Sequence, residues 1–254
     1  MCGRTTSELS RDELARLLDV DEVDAPELPL SWNIAPTRQV YAVAAGPTGT
    51  RVLTALRWGL VPAWSKGPAS GAPMVNARAE TVATKPAFRE ALLSRRVLVP
   101  VSGFYEWHRH GPGRREPAEP WYFRRADGEP LVFAALAETW YDGEGRPLRS
   151  CAVITTGPNA VMAPVHDRMP VVLRRRDWDE WLAPRPLAPA RLAQLLVPPP
   201  DHLLEAVRVS RAVNNTANDS ADLVLAARAE TSPAGASDAT GPEPEQLSLL
   251  AQGS

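Results

Sequence analysis

A cysteine stands directly behind the initiator methionine, in the run Met1-Cys2-Gly3-Arg4. A small second residue permits excision of Met1, which would leave Cys2 with a free α-amine and a thiol on adjacent carbons. No other natural residue offers that pair. The amine titrates near ~8 and the thiol near ~8.5, so each is partly nucleophilic at neutral pH. Aldehydes are the natural target: the amine condenses to a Schiff base and the neighbouring thiol then closes a thiazolidine ring. Standing alone, Cys2 would be an incidental small residue. Gly3, which allows close approach of a ligand, and Arg4, which offers a cation to a phosphate or carboxylate, shift that reading.

Few other groups suit proton transfer beside such a nucleophile. Glu106 lies in Phe104-Tyr105-Glu106-Trp107. Turned inward among apolar neighbours, its pKa would rise and suit it to shuttle protons at the Cys2 amine; strand alternation could equally turn it to solvent. His166 lies in Pro164-Val165-His166-Asp167-Arg168-Met169-Pro170, where Asp167 can fix the loop and Arg168 can bind an anion. A lone loop histidine is usually structural. Asn76 and Arg78, two apart in an extended segment, share a face and would present an amide and a guanidinium to one substrate. Trp58, Trp64 and Trp107 are core residues by default, although near Arg-rich loops each could stack on an unpaired base. His108 and His110 flank Arg109 in a Gly/Pro loop and read as solvated. With two Cys and four scattered His there is no zinc spacing, and neither metal nor cofactor is expected.

These residues need a frame. At 254 residues and 44% hydrophobic content, the chain suffices for one large domain or two small ones. Two cysteines are too few for a disulfide framework, residues 1–13 hold no apolar leader core, and nothing approaches the ~18 apolar residues of a membrane span. A reducing cytoplasm is the expected compartment. The formal charge of -2 hides an asymmetry, because Glu230, Asp238, Glu243 and Glu245 lie in a final stretch without Lys or Arg. The remainder is net positive, which allows a local basic face.

Ser10 and Glu13 read as a capping box opening a short helix with Leu14, Leu17 and Leu18 on one face. The acidic stretch 19–30 reads as a loop. Strands are predicted at 39–44, 51–58, 96–101, 103–107, 121–125, 131–138, 150–156, 171–173 and 202–210, the first two as a hairpin around 46–49. Helices are predicted at 86–95, 176–182 and 189–196. Many short strands without a βαβ rhythm point to an α+β fold: a single domain, 1–228, around a curved, mostly antiparallel sheet or barrel-like core with peripheral short helices. The Ala/Ser/Gly/Pro-rich acidic tail, 229–254, is expected to be disordered.

Read together, Met1-Cys2-Gly3-Arg4, Trp32-Asn33-Ile34-Ala35-Pro36, Trp58-Gly59-Leu60-Val61-Pro62-Ala63-Trp64, Asn76-Ala77-Arg78-Ala79-Glu80, Gly103-Phe104-Tyr105-Glu106-Trp107 and His166-Asp167-Arg168-Met169-Pro170 resemble, in order, the motifs of one family. It is the SOS response-associated peptidase (SRAP) family of abasic-site processing proteins, and the resemblance spans roughly residues 2–220. It implies a sensor of abasic sites in single-stranded DNA, whose ring-opened deoxyribose supplies the aldehyde. The mature N-terminal Cys2 would form a Schiff base and then a thiazolidine DNA–protein crosslink that shields the lesion; the same Schiff base allows lyase-like cleavage. By the resemblance Glu106 assists proton transfers at the amine, Asn76 positions the sugar, and His166 is acid/base on the ring oxygen and in crosslink reversal. Arg4, Arg78 and Arg168 would hold flanking phosphates, with Trp58, Trp64 or Trp107 stacking on bases, and Asn33 and Pro36 in the motif beside the DNA, Pro36 as a wedge. The location implied is cytoplasmic, with the nucleoid. The family name also implies a peptidase, here limited to Met1, which a host aminopeptidase could remove as well.

Two other chemistries begin from the same residue: an N-terminal-nucleophile glutamine amidotransferase, for which the chain shows no companion motifs, and a thiol peptidase using Cys2 and His166. In the tail, Gln246-Leu247-Ser248-Leu249-Leu250 is similar to the peptide by which bacterial replication proteins bind the sliding clamp. Gln246 would bond the groove rim and Leu247, Leu249 and Leu250 would fill it, more weakly than with an aromatic in the place of Leu250.

Overall fold

The computed structural model describes residues 2–109 and 117–227. Thirteen strands follow one another there: β1 (Thr5–Ser7), β2 (Glu22–Asp24), β3 (Ser31–Ile34), β4 (Gln39–Ala45), β5 (Arg51–Trp58), β6 (Asn76–Arg78), β7 (Arg96–Val101), β8 (Gly103–His108), β9 (Glu119–Arg125), β10 (Leu131–Tyr141), β11 (Pro147–Thr156), β12 (Met169–Pro170) and β13 (Leu204–Arg208). Helices α1 (Arg11–Leu17), α2 (Arg89–Ser94), α3 (Trp178–Leu182) and α4 (Pro189–Leu195) are short and peripheral.

The expected hairpin is β4 and β5, joined through Gly49, whose φ of 81° suits a residue without a side chain. β4 touches β7, β7 pairs with β10 and β10 with β11, all antiparallel. The circle closes when β11 returns to β5 in parallel, Ser150 opposite Arg57 and Cys151 opposite Trp58. Closure removes the sheet edges that would otherwise need protection. β6 continues beside β5 along β11, placing Asn76 opposite Val153. A second sheet runs in the order β13-β9-β8-β1-β3. There Gly103 is required by close approach, because an added Cβ would lie 2.4 Å from the Tyr122 hydroxyl oxygen.

Burial on both faces explains the nearly continuous apolar runs of the barrel strands. Tyr41, Val43, Leu98, Val132, Ala134, Ala152 and Ile154 pack with Leu14, Leu92, Trp178, Trp181 and Leu195 of the helices. Their neighbours along the same strands, Val40, Ala42, Val97, Val99, Phe133, Cys151 and Val153, pack with Cys2, Trp58, Phe104 and Phe123. The helices are pinned by Arg96, whose buried guanidinium donates to the carbonyls of Leu92, Leu93, Trp181, Ala183 and Arg185.

The capping box of Ser10 and Glu13 forms as expected, each side chain meeting the other's backbone N–H. Stretch 19–30 is not all loop, since β2 lies in it and pairs in parallel with β5. α2 starts later than expected, at Arg89, because Phe88 provides no side-chain cap and 78–88 is taken up by turns. Instead of a strand at 171–173 the ladder is Met169–Pro170, with Val172 adding an isolated bridge to Phe133. The tail, with Gln246, Leu247, Leu249 and Leu250, and His110 lie outside the described residues. Among the described residues no helix is long and apolar enough to cross a membrane.

Candidate active site

Four separate segments meet at Cys2. The segment leading into β1 runs beside β8, where the Tyr105 N–H donates to the Arg4 carbonyl at 2.9 Å. Cys2 is thereby buried, at 0% exposure, against the barrel core. β6 brings Asn76, whose Nδ2 donates to the Cys2 carbonyl at 2.7 Å. β8 brings Glu106, itself buried, and the turn after β11 brings His166, whose Nε2 lies 3.9 Å from a Glu106 carboxylate oxygen. The four residues expected to do chemistry are therefore grouped.

Their electrostatics are those of a dry pocket. Burial pushes the Cys2 thiol well up, and the Glu106 charge adds to the effect, while the Arg4 backbone N–H opposes it. Burial likewise raises the Glu106 carboxyl, with His166 pulling the other way. Burial thus opposes ionisation of the thiol and leaves the carboxyl disposed to carry a proton. Asn76 Oδ1 is buried without a hydrogen-bond partner among the described residues. No three of the described His, Cys, Asp and Glu residues are grouped to hold a metal ion.

The residues expected to bind DNA fall into two sets. Arg78 is exposed on the same strand as Asn76 and makes no ion pair among the described residues. Trp64, 69% exposed, forms an apolar groove of about 420 Å³ with Pro73, Met74, Phe88 and the flank of Asn76, with Lys85 at its edge. Pro36 lines a separate groove of about 590 Å³, next to Thr37 in the left-handed region at φ 75°.

The others have protein partners. Trp58 is a core residue, its Nε1 donating to the Val75 carbonyl at 3.0 Å, and its burial leaves no ring face for a base. Arg168 donates to both Glu80 oxygens at 2.6 and 2.9 Å and to the Thr155 carbonyl at 2.7 Å, so its guanidinium is already engaged. Arg4 donates to Asn33 Oδ1 at 2.5 Å and to the Val213 carbonyl at 2.8 Å, and lies over the Trp107 ring. Asn33 in turn donates to the carbonyls of Val213, Asn215 and Asn218, and Trp107 to Asn214 Oδ1. Arg4, Asn33 and Trp107 therefore fasten the polar loop 213–218 against the site. Glu80 and this loop were missed as site components; the available signals were the acid ending the Asn76 motif and the Asn-rich run itself.

The SOS response associated peptidase (SRAP) family model matches residues 1–216. The chain belongs to this family. The SRAP chain is 39% identical over 225 residues to the abasic site processing protein YoaM of Bacillus subtilis, covering 88% of this chain and 97% of that one. It is 28% identical to abasic site processing protein YedK of Escherichia coli, covering 88% and 99%. A crystal structure of a Bacteroides thetaiotaomicron protein shares the fold, with a TM-score of 0.78 at 22% identity over 89% of this SRAP chain and all of the other.

Proposed function

We propose that this SRAP protein captures abasic sites in single-stranded DNA through Cys2 after Met1 has been removed. The Cys2 amine attacks the C1′ aldehyde and water departs, leaving an imine; the thiol sulfur then adds to the imine carbon while its proton moves to nitrogen, closing the thiazolidine. Glu106 carries protons to and from the amine. His166 serves the ring oxygen, and Asn76 holds the Cys2 backbone and accepts from the sugar. Trp64 and Arg78 supply base stacking and phosphate contact, neither of which reads sequence. A lesion that has lost its base calls for that kind of recognition.

The observation that carries this reading is the grouping of Asn76, Glu106 and His166 around Cys2. The relatives named as abasic site processing proteins support it. A glutamine amidotransferase fits less well, because the chain carries no companion motifs of that class. The peptide 246–250 is proposed in addition to bind the sliding clamp, which titration of the isolated 243–254 peptide with the cognate clamp would test.

Denaturing-gel capture of an oligonucleotide with one abasic site tests the main reading. A heat-stable adduct is expected from wild type and not from Cys2→Ala. No adduct from protein shown by mass spectrometry to lack Met1 would overturn it.

A further inference from the structure

The loop carrying His166 offers ring atom Nδ1 two neighbours of opposite kind. The Arg168 backbone N–H donates to Nδ1 at 3.0 Å. A carboxylate oxygen of Asp167 also lies 3.0 Å from Nδ1. An N–H donor selects the neutral tautomer with its proton on Nε2, whereas a carboxylate selects the tautomer with its proton on Nδ1. Nε2 is the nitrogen facing Glu106. The competition at Nδ1 therefore decides whether the nitrogen turned to the site can donate a hydrogen bond or only accept one.

The two neighbours are held very differently. The Asp167 side chain is 88% exposed and competes with water for its bonds. The Arg168 side chain is 15% exposed and clamped at three points, by the two oxygens of Glu80 and the carbonyl of Thr155. Thr155 belongs to barrel strand β11 and sits opposite Arg78, while the Ala79 N–H donates to the same Thr155 carbonyl at 2.8 Å. Glu80 is the next residue, so it projects from a fixed backbone. A two-pronged guanidinium–carboxylate pair sets orientation as well as position, and the Arg168 N–H aimed at Nδ1 is held with it.

We propose that Glu80 is a positioning residue which, through Arg168, keeps His166 in the tautomer whose Nε2–H faces Glu106 and the reacting centre. Its catalytic consequence rests on the abasic-capture reading; the tautomer itself does not. Opening of the sugar hemiacetal moves one proton from the C1′ hydroxyl to the ring oxygen, with no net gain or loss. A hydrogen-bond donor at the ring oxygen beside a carboxylate acceptor is the arrangement that eases this transfer. With the proton on Nδ1 instead, Nε2 would turn a lone pair toward the oxygen.

Long-range proton–nitrogen correlation spectra of 15N-labelled full-length protein read the tautomer directly, with the His166 signals assigned through His166→Gln. Wild type is expected to carry the proton on Nε2, Glu80→Ala to shift population to Nδ1, and Glu80→Ala with Asp167→Asn to shift it back. Capture of abasic DNA should slow about 10-fold or more in Glu80→Ala and recover most of that loss in the double variant. Glu80 is half-exposed; if alanine nonetheless unfolds the protein, Glu80→Gln, which leaves Arg168 a single acceptor, takes its place. An unchanged tautomer in the folded variant, or a wild-type ring protonated on Nδ1, would overturn the positioning role. Failure of wild type to capture DNA would instead overturn the proposed function and leave the tautomer result standing.

Discussion

Asn76 Nδ2 reaches the Cys2 carbonyl at 2.7 Å across 74 residues of sequence. The amide thereby fixes the backbone of the proposed nucleophile and leaves its own Oδ1, buried and without a partner among the described residues, to a donor such as a sugar hydroxyl. Asn76→Ala is expected to slow single-turnover capture by about 5–150-fold, the loss of a buried hydrogen bond at about 1–3 kcal/mol. Asn76→Asp sets a carboxylate oxygen against the Cys2 carbonyl in a dry pocket and should be no milder than Asn76→Ala. Wild-type rates in both would show that Cys2 does not depend on this amide.

Glu106→Gln should separate stability from activity. Burial raises the Glu106 carboxyl, so the native state holds that proton more tightly than the unfolded chain. The resulting stabilisation is present below the unfolded carboxylate range and is lost as pH rises through the folded value. The Gln variant is therefore expected to melt above wild type near pH ~8, with the gap narrowing toward about pH 4. Its capture rate should drop about 100-fold or more. Thermal melts across that range check the sign, and a gap that widens on acidification would refute the assignment.

The two tryptophans at the ends of one motif should behave as opposites. Trp58→Ala empties a core site and is expected to cost about 3–5 kcal/mol, read as a lower melting temperature. Trp64→Ala should change stability by less than about 0.5 kcal/mol. Its affinity for single-stranded DNA, measured by fluorescence anisotropy, should weaken by about 1–3 kcal/mol for one lost stacked base.

Arg78→Ala tests the exposed cation on β6. Affinity for undamaged single strands should fall about equally for all sequences, and the slope of log K against log salt should decrease by about 1. Salt added after adduct formation should release nothing. A slope equal to that of wild type would mean that Arg78 meets no phosphate.

Arg96→Met would remove a donor from five carbonyls, of which that of Ala183 keeps the Arg185 N–H. The expected loss is about 3–5 kcal/mol, a fall of roughly 10 °C in Tm. Arg96→Lys, with three donors on a narrow head, should recover only part of it. Melting of the two variants side by side checks the argument.

Strands buried on both faces were legible as apolar runs, and β5 and β7 occur at the expected 51–58 and 96–101. β1, β2 and β3 are only three or four residues long and owe their existence to partners far away, such as Ile34 for Thr5 and Val52 for Glu22. No local pattern announces such pairings. The site divides in the same way. Residue chemistry raised Cys2, Asn76, Glu106 and His166 as candidates, most of them with a plainer reading beside it, and the resemblance to the SRAP motifs is what joined them into one site. Which partner occupies a side chain was not legible. Trp58 is buried by the return of β11, and Arg168 is held by an acid 88 residues away.

The parallel return of β11 to β5 also sets a clock. It joins strands more than 90 residues apart, so the wall around Cys2 cannot be completed until β11 has been synthesised. At ~5–20 residues per second, roughly 8–30 s pass between the emergence of Cys2 and that of β11. Under the proposed chemistry Met1 must leave to free the amine, and in the closed barrel Cys2 is buried, its carbonyl tied to Asn76. Removal of Met1 by a host aminopeptidase during synthesis therefore meets an open site, whereas removal by the folded protein itself works inside the closed one.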